Sequence, residues 1–501
     1  MTDRTPSMDP AVMIADPRPA DADDDAEAVL VVDLDGTLCR TDTLHETLLR
    51  LAAADPRAMP GMALGLRGGK VRFKNAIADR MVIDPATLGY DPAVIEALER
   101  ARAAGRRTAL VSASDRRVAE AVAAHLGLFD EVHGTDPDGR GPNLSGHAKA
   151  DFLVRRFGDR GFDYIGDCRA DLPVWQKART ALAVRPDAAL IRAGQAGGIS
   201  LQPVGQADPA LRRRAMIRAL RPHQWSKNIL VFLPMLAAQD FSALPLVLLA
   251  FVLFCLIASS VYIINDLLDL PADRIHPRKS RRPFASGAVP AATGMAMAAI
   301  MLGISLLLGL IVMPGAFMGV MAGYFLLTLA YSLSLKRKLI VDVVTLAILY
   351  TLRIIAGAAA AGISPSPWLL AFSVFLFFGL AAIKRQAELI DQIARDRPDS
   401  PGRAYLSGDV TVMQIMAISS GQAAVMVFAL YLDSQTATAL YARPQILWLI
   451  CPILLYWLSR IAILTHRGHM EDDPIVFAAR DRVSQITGLV VLILLLAAAR
   501  G

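Results

Sequence analysis

Residues 265–287 read NDLLDLPADRIHPRKSRRPFASG, and they begin where a long apolar run, residues 244–264, stops. Within a few turns the chain passes from hydrocarbon-compatible to densely charged. Asp266, Asp269 and Asp273 are followed by Arg274, His276, Arg278, Lys279, Arg281 and Arg282. Spacings of three and four put the aspartates near one face of a helix. Pro271 interrupts the backbone ladder, so that face exists only where the helix re-forms past it. Carboxylates on one face suit Mg²⁺, which takes oxygen ligands and shares them with substrate phosphates. The cations just after them are placed to hold the same phosphates. Acid first and base second, at a membrane edge, favours such a site over a solvated loop flanking a helix.

Outward from this stretch the chain is uneven. Its 501 residues imply more than one domain. Residues 1–210 read as soluble, while apolar runs follow one another at about 229–239, 244–264, 291–312, 315–334, 339–361, 367–383, 411–432, 444–464 and 484–499. These are about nine candidate transmembrane helices in an all-α polytopic domain, residues 215–501. The loops after the second, fourth, sixth and eighth runs carry Arg274 to Arg282, Lys336-Arg337-Lys338, Lys384 to Arg403 and Arg467 to Arg482; Arg443 is the exception in the alternate loops. The positive-inside rule makes the basic loops cytoplasmic, with the soluble half on the same side of a cell inner (plasma) membrane and the C-terminus outside. The net charge of +6 is modest, and nothing points to a nucleic-acid partner. Cys39, Cys168, Cys255 and Cys451 form no CxxC, which fits a reducing compartment without disulfides or a zinc site. The N-terminus has no apolar h-region, so no signal peptide is expected, and residues 1–28, rich in Asp, Pro and Ala, are expected to be disordered.

In the soluble half, Ala28 to Val32 reads as a buried strand ending in Asp33-Leu34-Asp35-Gly36-Thr37. A second strand, 108–111, ends in Ser112-Ala113-Ser114-Asp115, and a third, 162–165, ends in Gly166-Asp167-Cys168-Arg169-Ala170-Asp171. Lys149 opens a helical pattern between them. In a parallel α/β sheet these strand ends lie side by side. Asp33, Asp35, Asp167, Asp171, Ser112 and Lys149 then converge. A carboxylate nucleophile attacks phosphorus to form an acyl phosphate, and a second one two residues on serves as acid and then base. A further carboxylate completes a Mg²⁺ site, and Lys149 and Ser112 hold phosphoryl oxygens.

These motifs, DLDGT (33–37), VSAS (111–114), Lys149 and GDCRAD (166–171), resemble those of the haloacid dehalogenase (HAD) superfamily of phosphatases. The resemblance implies a Rossmann-like α/β domain over 29–195 with a helical cap inserted at 44–100. It makes Asp33 the nucleophile and Asp35 the acid/base. Asp33, Asp167 and the Asp35 carbonyl would bind Mg²⁺, with Asp171 supporting. Within the cap, Arg67, Lys70, Arg72 and Lys74 form a basic group that faces either phosphate or solvent. Residues 196–214 read as a linker.

Inside the membrane half, Asp342 lies just within the fifth run and Arg353 eleven residues on, ~16 Å along a helix axis. A cation at that depth requires a cavity or a partner, and a cavity wall is the preferred reading. Lys384, Arg385, Glu388 and Asp391 close the sixth run, whereas Asp473 and Asp481 read as loop residues.

This half resembles the UbiA superfamily of intramembrane prenyltransferases. NDLLDLPAD (265–273) matches its first Asp-rich motif. RPHQWSKN (221–228), DRIHPRKSRRPFASG (273–287), YSLSLKRKLIVD (331–342), LRIIAGAAA (352–360) and KRQAEL (384–389) resemble more closely the decaprenyl-phosphate phosphoribosyltransferase branch. Aromatic prenyltransferases carry two paired aspartates in a second motif; only Asp342 stands in that region here. The implied reaction moves 5-phosphoribose from phosphoribosyl diphosphate to a polyprenyl phosphate in the bilayer. Asn265, Asp266, Asp269 and Asp273 would hold Mg²⁺, with Asp269 catalytic. Arg221, Lys227, Asn228, Arg274, Lys336, Asp342, Arg353, Lys384 and Arg385 are the candidate substrate contacts. The HAD domain would then remove the 5-phosphate. The competing readings are transfer of a polyprenyl group from its diphosphate to an aromatic or other small acceptor, and a transporter or lipid-binding protein with a regulatory soluble domain.

Overall fold

The computed structural model describes residues 28–58, 61, 73, 76–136, 143–206, 208–394, 404–470 and 473–499. The segment expected to be disordered, up to residue 27, and the basic group at 67, 70, 72 and 74 lie outside the described residues. The chain divides between Pro209 and Ala210 into two compact units.

The first unit is built on six parallel strands: β1 (Val29–Val32), β2 (Thr108–Asp115), β3 (Glu131–Thr135), β4 (Phe162–Gly166), β5 (Ala181–Val184) and β6 (Leu201–Val204), in the order β3-β2-β1-β4-β5-β6. Side chains alternate across a strand. Val29 and Val31 therefore join one core with Val111, Phe162 and Tyr164, while Leu30 and Val32 join the other with Leu110 and Ile165. The helix α1 (Thr43–Ala54) packs apart from the sheet, with Phe73 and Ile77, and the two faces are covered by α2 (Pro92–Ala103), α3 (Arg116–Leu126), α4 (Gly146–Phe157) and α5 (Ala188–Ala196). Their starts are set locally. Asp42, Asp91 and Asp115 accept hydrogen bonds from first-turn amides of α1, α2 and α3. The chain winds from β1 out to β3, then returns to β4 on the other side of β1. The strand order therefore reverses at β1, where a parallel sheet opens a crevice at its C-terminal edge.

The expected linker, 196–214, is not one. It supplies β6 and the helix α6 (Pro209–Ala219). The four residues of β6 include Pro203 at the sheet edge, the place where a strand tolerates a residue without an N–H. That composition reads as a loop in sequence.

The second unit continues with α7 (Leu244–Leu268), α8 (Leu270–Ile275), α9 (Ala291–Val312), α10 (Gly315–Leu333), α11 (Val341–Ala361), α12 (Pro367–Ala394), α13 (Ser407–Leu432), α14 (Pro444–His466), α15 (Pro474–Arg480) and α16 (Arg482–Ala498). Among the described residues, seven are long and apolar enough to cross a membrane, and α15 with α16, bent by 85°, makes an eighth if counted as one span. Leu307, Leu310, Ile311 and Leu496 stay exposed on outer faces, as a hydrocarbon solvent allows.

The expectation of nine such helices is corrected at its first member. Residues 222–238 form a 3₁₀ helix, Pro222–Phe232, followed by a short α-helix, Leu233–Ala238. This segment runs antiparallel to α7. The Leu220 carbonyl accepts from Ser259 at 2.8 Å, Asn228 Nδ2 donates to Cys255 Sγ at 3.3 Å, and Phe232 packs on Phe251 at 5.6 Å. Its other side lies against α11 so closely that a Cβ on Gly357 would sit 1.9 Å from the Val231 carbonyl.

The break at Pro271 is short. Asp269 caps α8, and Pro271 falls in the first turn of α8, where its missing N–H has no partner to lose. The amides of Asp269 and Asp273 donate to the carbonyls of Asn265 and Asp269, both at 2.9 Å. The helical register of the three aspartates therefore carries through.

Candidate active sites

In the first unit the predicted residues meet at the C-terminal edge of β1, β2 and β4. Asp33 Oδ1 accepts from Lys149 Nζ at 2.8 Å and from the Leu34 amide at 2.9 Å. Lys149, buried on α4, also donates to the Tyr164 hydroxyl at 3.0 Å, which in turn donates to Asp171 Oδ1 at 2.8 Å. Asp171 Oδ2 accepts from the amides of Asp167 and Cys168 at 3.1 and 3.3 Å. Asp171 thus shapes the loop that presents Asp167 with one oxygen and holds Tyr164 with the other. Asp35 is turned aside: its carboxylate accepts from the Thr43 amide at 2.7 Å and from the Ser114 hydroxyl. Ser112 Oγ accepts from the Ser114 amide at 3.0 Å. Tyr164 is the residue that sequence reading missed, because its role depends on a lysine fifteen positions earlier and an aspartate seven later.

Burial pushes the Asp33 carboxyl up to about 6 and that of Asp167 to about 7, and neighbouring carboxylates, Asp171 foremost, add to the rise. Burial opposes the charge on Lys149 too, but the Asp33 and Asp171 carboxylates hold it above the ordinary lysine range. The site carries more buried negative charge than its one ammonium offsets, and a divalent cation would relieve it. Among the described residues, the one group of three potential ligands within 4.8 Å of one another is Asp167, Cys168 and Asp171. The thiol is a soft donor and Asp171 is committed to the loop, so the oxygens of Asp33 and Asp167 are the hard donors that fit Mg²⁺.

Gly36 is fixed by the same geometry. Its φ is +78°, and a Cβ would lie 2.2 Å from Asp167 Oδ2. Gly36→Ala is expected to lower phosphate-ester hydrolysis about 100-fold or more, a misplacement effect of the size a shift of ~1 Å produces. Steady-state phosphate release from the full-length protein in detergent checks it.

In the second unit the acidic stretch is laced with cations. Asp266 Oδ1 accepts from Arg221 at 2.5 Å and from Arg282 at 3.1 Å, and Arg282 also reaches Asp273 Oδ2 at 2.6 Å. Asn265 Nδ2 donates to Asp269 Oδ2 at 3.0 Å, and Lys336 sits 3.2 Å from Asp269 Oδ1. Arg274 donates to the Ala285 carbonyl at 3.3 Å, folding the basic loop back on the helix end. The donors are carboxylate and amide oxygens, which fit Mg²⁺, with Arg282 standing between Asp266 and Asp273.

Four of the residues expected to contact substrate are paired with protein groups. Arg353, expected on a cavity wall, is held by three such partners. Its Nε donates to Asn228 Oδ1 at 2.9 Å, one terminal nitrogen to the Leu349 carbonyl at 2.6 Å and the other to the Tyr324 hydroxyl at 2.8 Å. Arg353 and Asn228 therefore clamp α11 to the 3₁₀ segment and α10, the internal partnering that a cation at this depth requires. Asp342 and Arg385 are bound to each other at 2.5 Å, with the Tyr405 hydroxyl on Asp342 and Glu388 and Tyr331 on Arg385. Both are fully buried and tie α11 to α12. Lys227 and Lys384 meet on Asp473, at 2.7 and 3.1 Å. Asp473, read as a loop residue, has a side chain only 9% exposed and caps α15. The signal that finds it is Asp473-Pro474 before an apolar run, a helix start.

Comparison with known proteins agrees with this division. Residues 30–176 match the model of the haloacid dehalogenase-like hydrolases, and residues 229–480 that of the UbiA prenyltransferase family. The protein y4nM of Sinorhizobium fredii is 35% identical over 473 residues, covering 93% of this chain and 90% of that one. Nodulation protein NoeC of Azorhizobium caulinodans is 36% identical over 272 residues, 54% of this chain and 88% of its own. The decaprenyl-phosphate phosphoribosyltransferase of Mycobacterium tuberculosis is 32% identical over 292 residues, 56% of this chain and 93% of its own. The chain belongs to the UbiA prenyltransferase family, its multi-pass transferase domain preceded by a haloacid dehalogenase-like hydrolase domain.

Proposed function

We propose that the protein transfers 5-phosphoribose from phosphoribosyl diphosphate to a polyprenyl phosphate, and that its hydrolase domain removes the 5-phosphate of the product. The likeness to the phosphoribosyltransferase over 93% of that relative's length carries the reading. The acidic face ringed by Arg221, Arg282 and Lys336 supports it, because a diphosphate leaving group requires both metal and cations. Asn265, Asp266, Asp269 and Asp273 would hold Mg²⁺, which stabilises negative charge on departing diphosphate. The polyprenyl phosphate is the nucleophile at C1 of the ribose, and its tail lies among the spans in the bilayer. The basic loops, and with them the hydrolase domain, are assigned to the cytoplasmic side of the cell membrane.

For the hydrolase domain, Asp33 attacks the phosphorus of the 5-phosphate, while Asp35 protonates the ribose oxygen as it leaves. Asp35, now a carboxylate, then takes a proton from the water that attacks the acyl phosphate. Lys149 and the Ser112 hydroxyl would hold phosphoryl oxygens. Asp33 and Asp167 would hold the Mg²⁺ of this site.

Purified protein in detergent, given Mg²⁺, ribose-labelled phosphoribosyl diphosphate and a polyprenyl phosphate, is expected to move label into the lipid fraction. With time the labelled lipid loses its 5-phosphate. No label in lipid, together with turnover of a polyprenyl diphosphate and an aromatic acid, would move the chain to prenyl transfer.

A further inference from the structure

One carboxylate in the membrane unit occupies a place that suits a phosphate. Asp473 Oδ2 accepts from Lys227 Nζ at 2.7 Å and from Lys384 Nζ at 3.1 Å, and the Tyr350 hydroxyl lies 3.3 Å from both carboxylate oxygens. The three donors come from three elements: the 3₁₀ segment, α12 and α11. Two ammoniums sharing one oxygen is a geometry that a phosphate oxygen also satisfies. The Tyr350 ring gathers a further cation, with the Arg353 guanidinium 5.3 Å and Lys227 Nζ 5.6 Å from its centroid. Two cations, Lys227 and Lys384, thus share a single carboxylate, with a third, Arg353, behind the Tyr350 ring. A small cavity opens beside it, lined by Leu346, Tyr350, Leu380, Ala381, Lys384 and Asp473.

Buried cations require an anion whether or not a ligand is present. Asp473 supplies one, and it differs from its partners in where it stands. Lys384 and Tyr350 project from long spanning helices, whereas Asp473 begins the seven-residue α15, which a sharp bend separates from α16. Asp473 can therefore leave without moving the spans that carry Lys384 and Tyr350.

We propose that Lys227, Lys384 and Tyr350 form a phosphate subsite, and that Asp473 is its internal surrogate, displaced when a substrate phosphate or diphosphate enters. The inference rests on the phosphoribosyl reading only for which phosphate arrives. Asp473 then sets affinity by competition, since ligand binds only the fraction of molecules in which the lysines are released.

The test measures binding of inorganic diphosphate to the full-length protein in detergent, without divalent cation so that the acidic stretch holds no metal. Asp473→Asn is expected to bind diphosphate about tenfold more tightly than wild type, and Lys384→Gln about tenfold more weakly. A carboxylate that merely orders the lysines predicts the opposite for Asp473→Asn, and weaker or unchanged binding there overturns the proposal. Should that variant fail to fold, unchanged binding in Lys384→Gln overturns it equally. A structure of the wild-type protein with diphosphate in which Asp473 remains on Lys227 would do the same. Because no transfer is measured, the two readings fail separately. Tighter binding by Asp473→Asn without phosphoribosyl transfer removes only the assigned reaction. Transfer without the change in binding removes only the surrogate.

Discussion

Asp33→Asn is expected to abolish phosphate-ester hydrolysis, by on the order of 10⁴-fold or more, while leaving transfer by the membrane domain intact. An amide keeps the shape of the carboxylate but has no lone pair basic enough to attack phosphorus, and removing the nucleophile of a covalent mechanism leaves only the contribution of binding and charge. The fold does not depend on this carboxylate. Burial raises Asp33 to about 6, so its charged form is disfavoured where it stands. Neutral asparagine retains an oxygen for the Lys149 ammonium and the Leu34 amide, and takes one charge out of a crowded carboxylate cluster. Thermal stability should therefore hold or rise, the usual relation when an active site is strained by its own charges. The measurements are phosphate release, trapping of the acyl phosphate, and label transfer to lipid, all on one preparation. Undiminished phosphate release would show that Asp33 is not the nucleophile. Loss of both activities together would show that the two domains do not work independently.

The hydrolase site was legible in sequence because its chemistry sits at strand ends. β1 is a continuous apolar run that stops at Asp33, β4 is an apolar strand interrupted by Asp163 that stops at Gly166, and a parallel sheet brings such ends together whatever the intervening chain does. The strands β5 and β6 were not called for by any pattern, being four residues each, with Pro203 inside the second. In the membrane half the long spans are legible from length and apolarity alone. Residues 229–238 are legible as an apolar run, but the 3₁₀ helix from Pro222 to Phe232 is not legible, because that choice follows from its packing between α7 and α11 against Gly357. Depth in an apolar run also marked Arg353 as a residue in need of explanation. Whether the explanation is a ligand or a partner depends on Asn228 and Tyr324, far away in sequence. Asp342 and Arg385 illustrate the same limit: each looks like a free mouth charge until the other is placed beside it.

Among the aspartates of the acidic stretch, the largest separable loss is expected from Asp269→Ala. Asp266 and Asp273 are buried and joined through Arg282, and Asp266 also holds Arg221. Truncating either takes a carboxylate away from half-buried Arg282, and truncating Asp266 also strips Arg221 of its partner, so stability falls and confounds any activity measurement. Asp269 is different. Its side chain is 35% exposed, its ion pair with Lys336 is the partly solvated kind that contributes about 0–1 kcal/mol, and its backbone carbonyl, accepting from the Asp273 amide, carries the helix across Pro271 without the carboxylate. The melting temperature of Asp269→Ala in detergent should therefore match wild type. Its transfer rate should not. A carboxylate at this position is the one that can turn to a metal without abandoning a buried partner, and it stands between Asn265 and Lys336, an oxygen donor and a cation suited to the same diphosphate. Loss of a charge-stabilising group at the reacting centre costs about 10²–10³ in turnover. Saturating Mg²⁺ should recover part of that loss in Asp269→Asn, which keeps one oxygen donor, and none in Asp269→Ala. A variant that transfers label at the wild-type rate would remove Asp269 from the reaction and leave the pairing with Lys336 as its whole role.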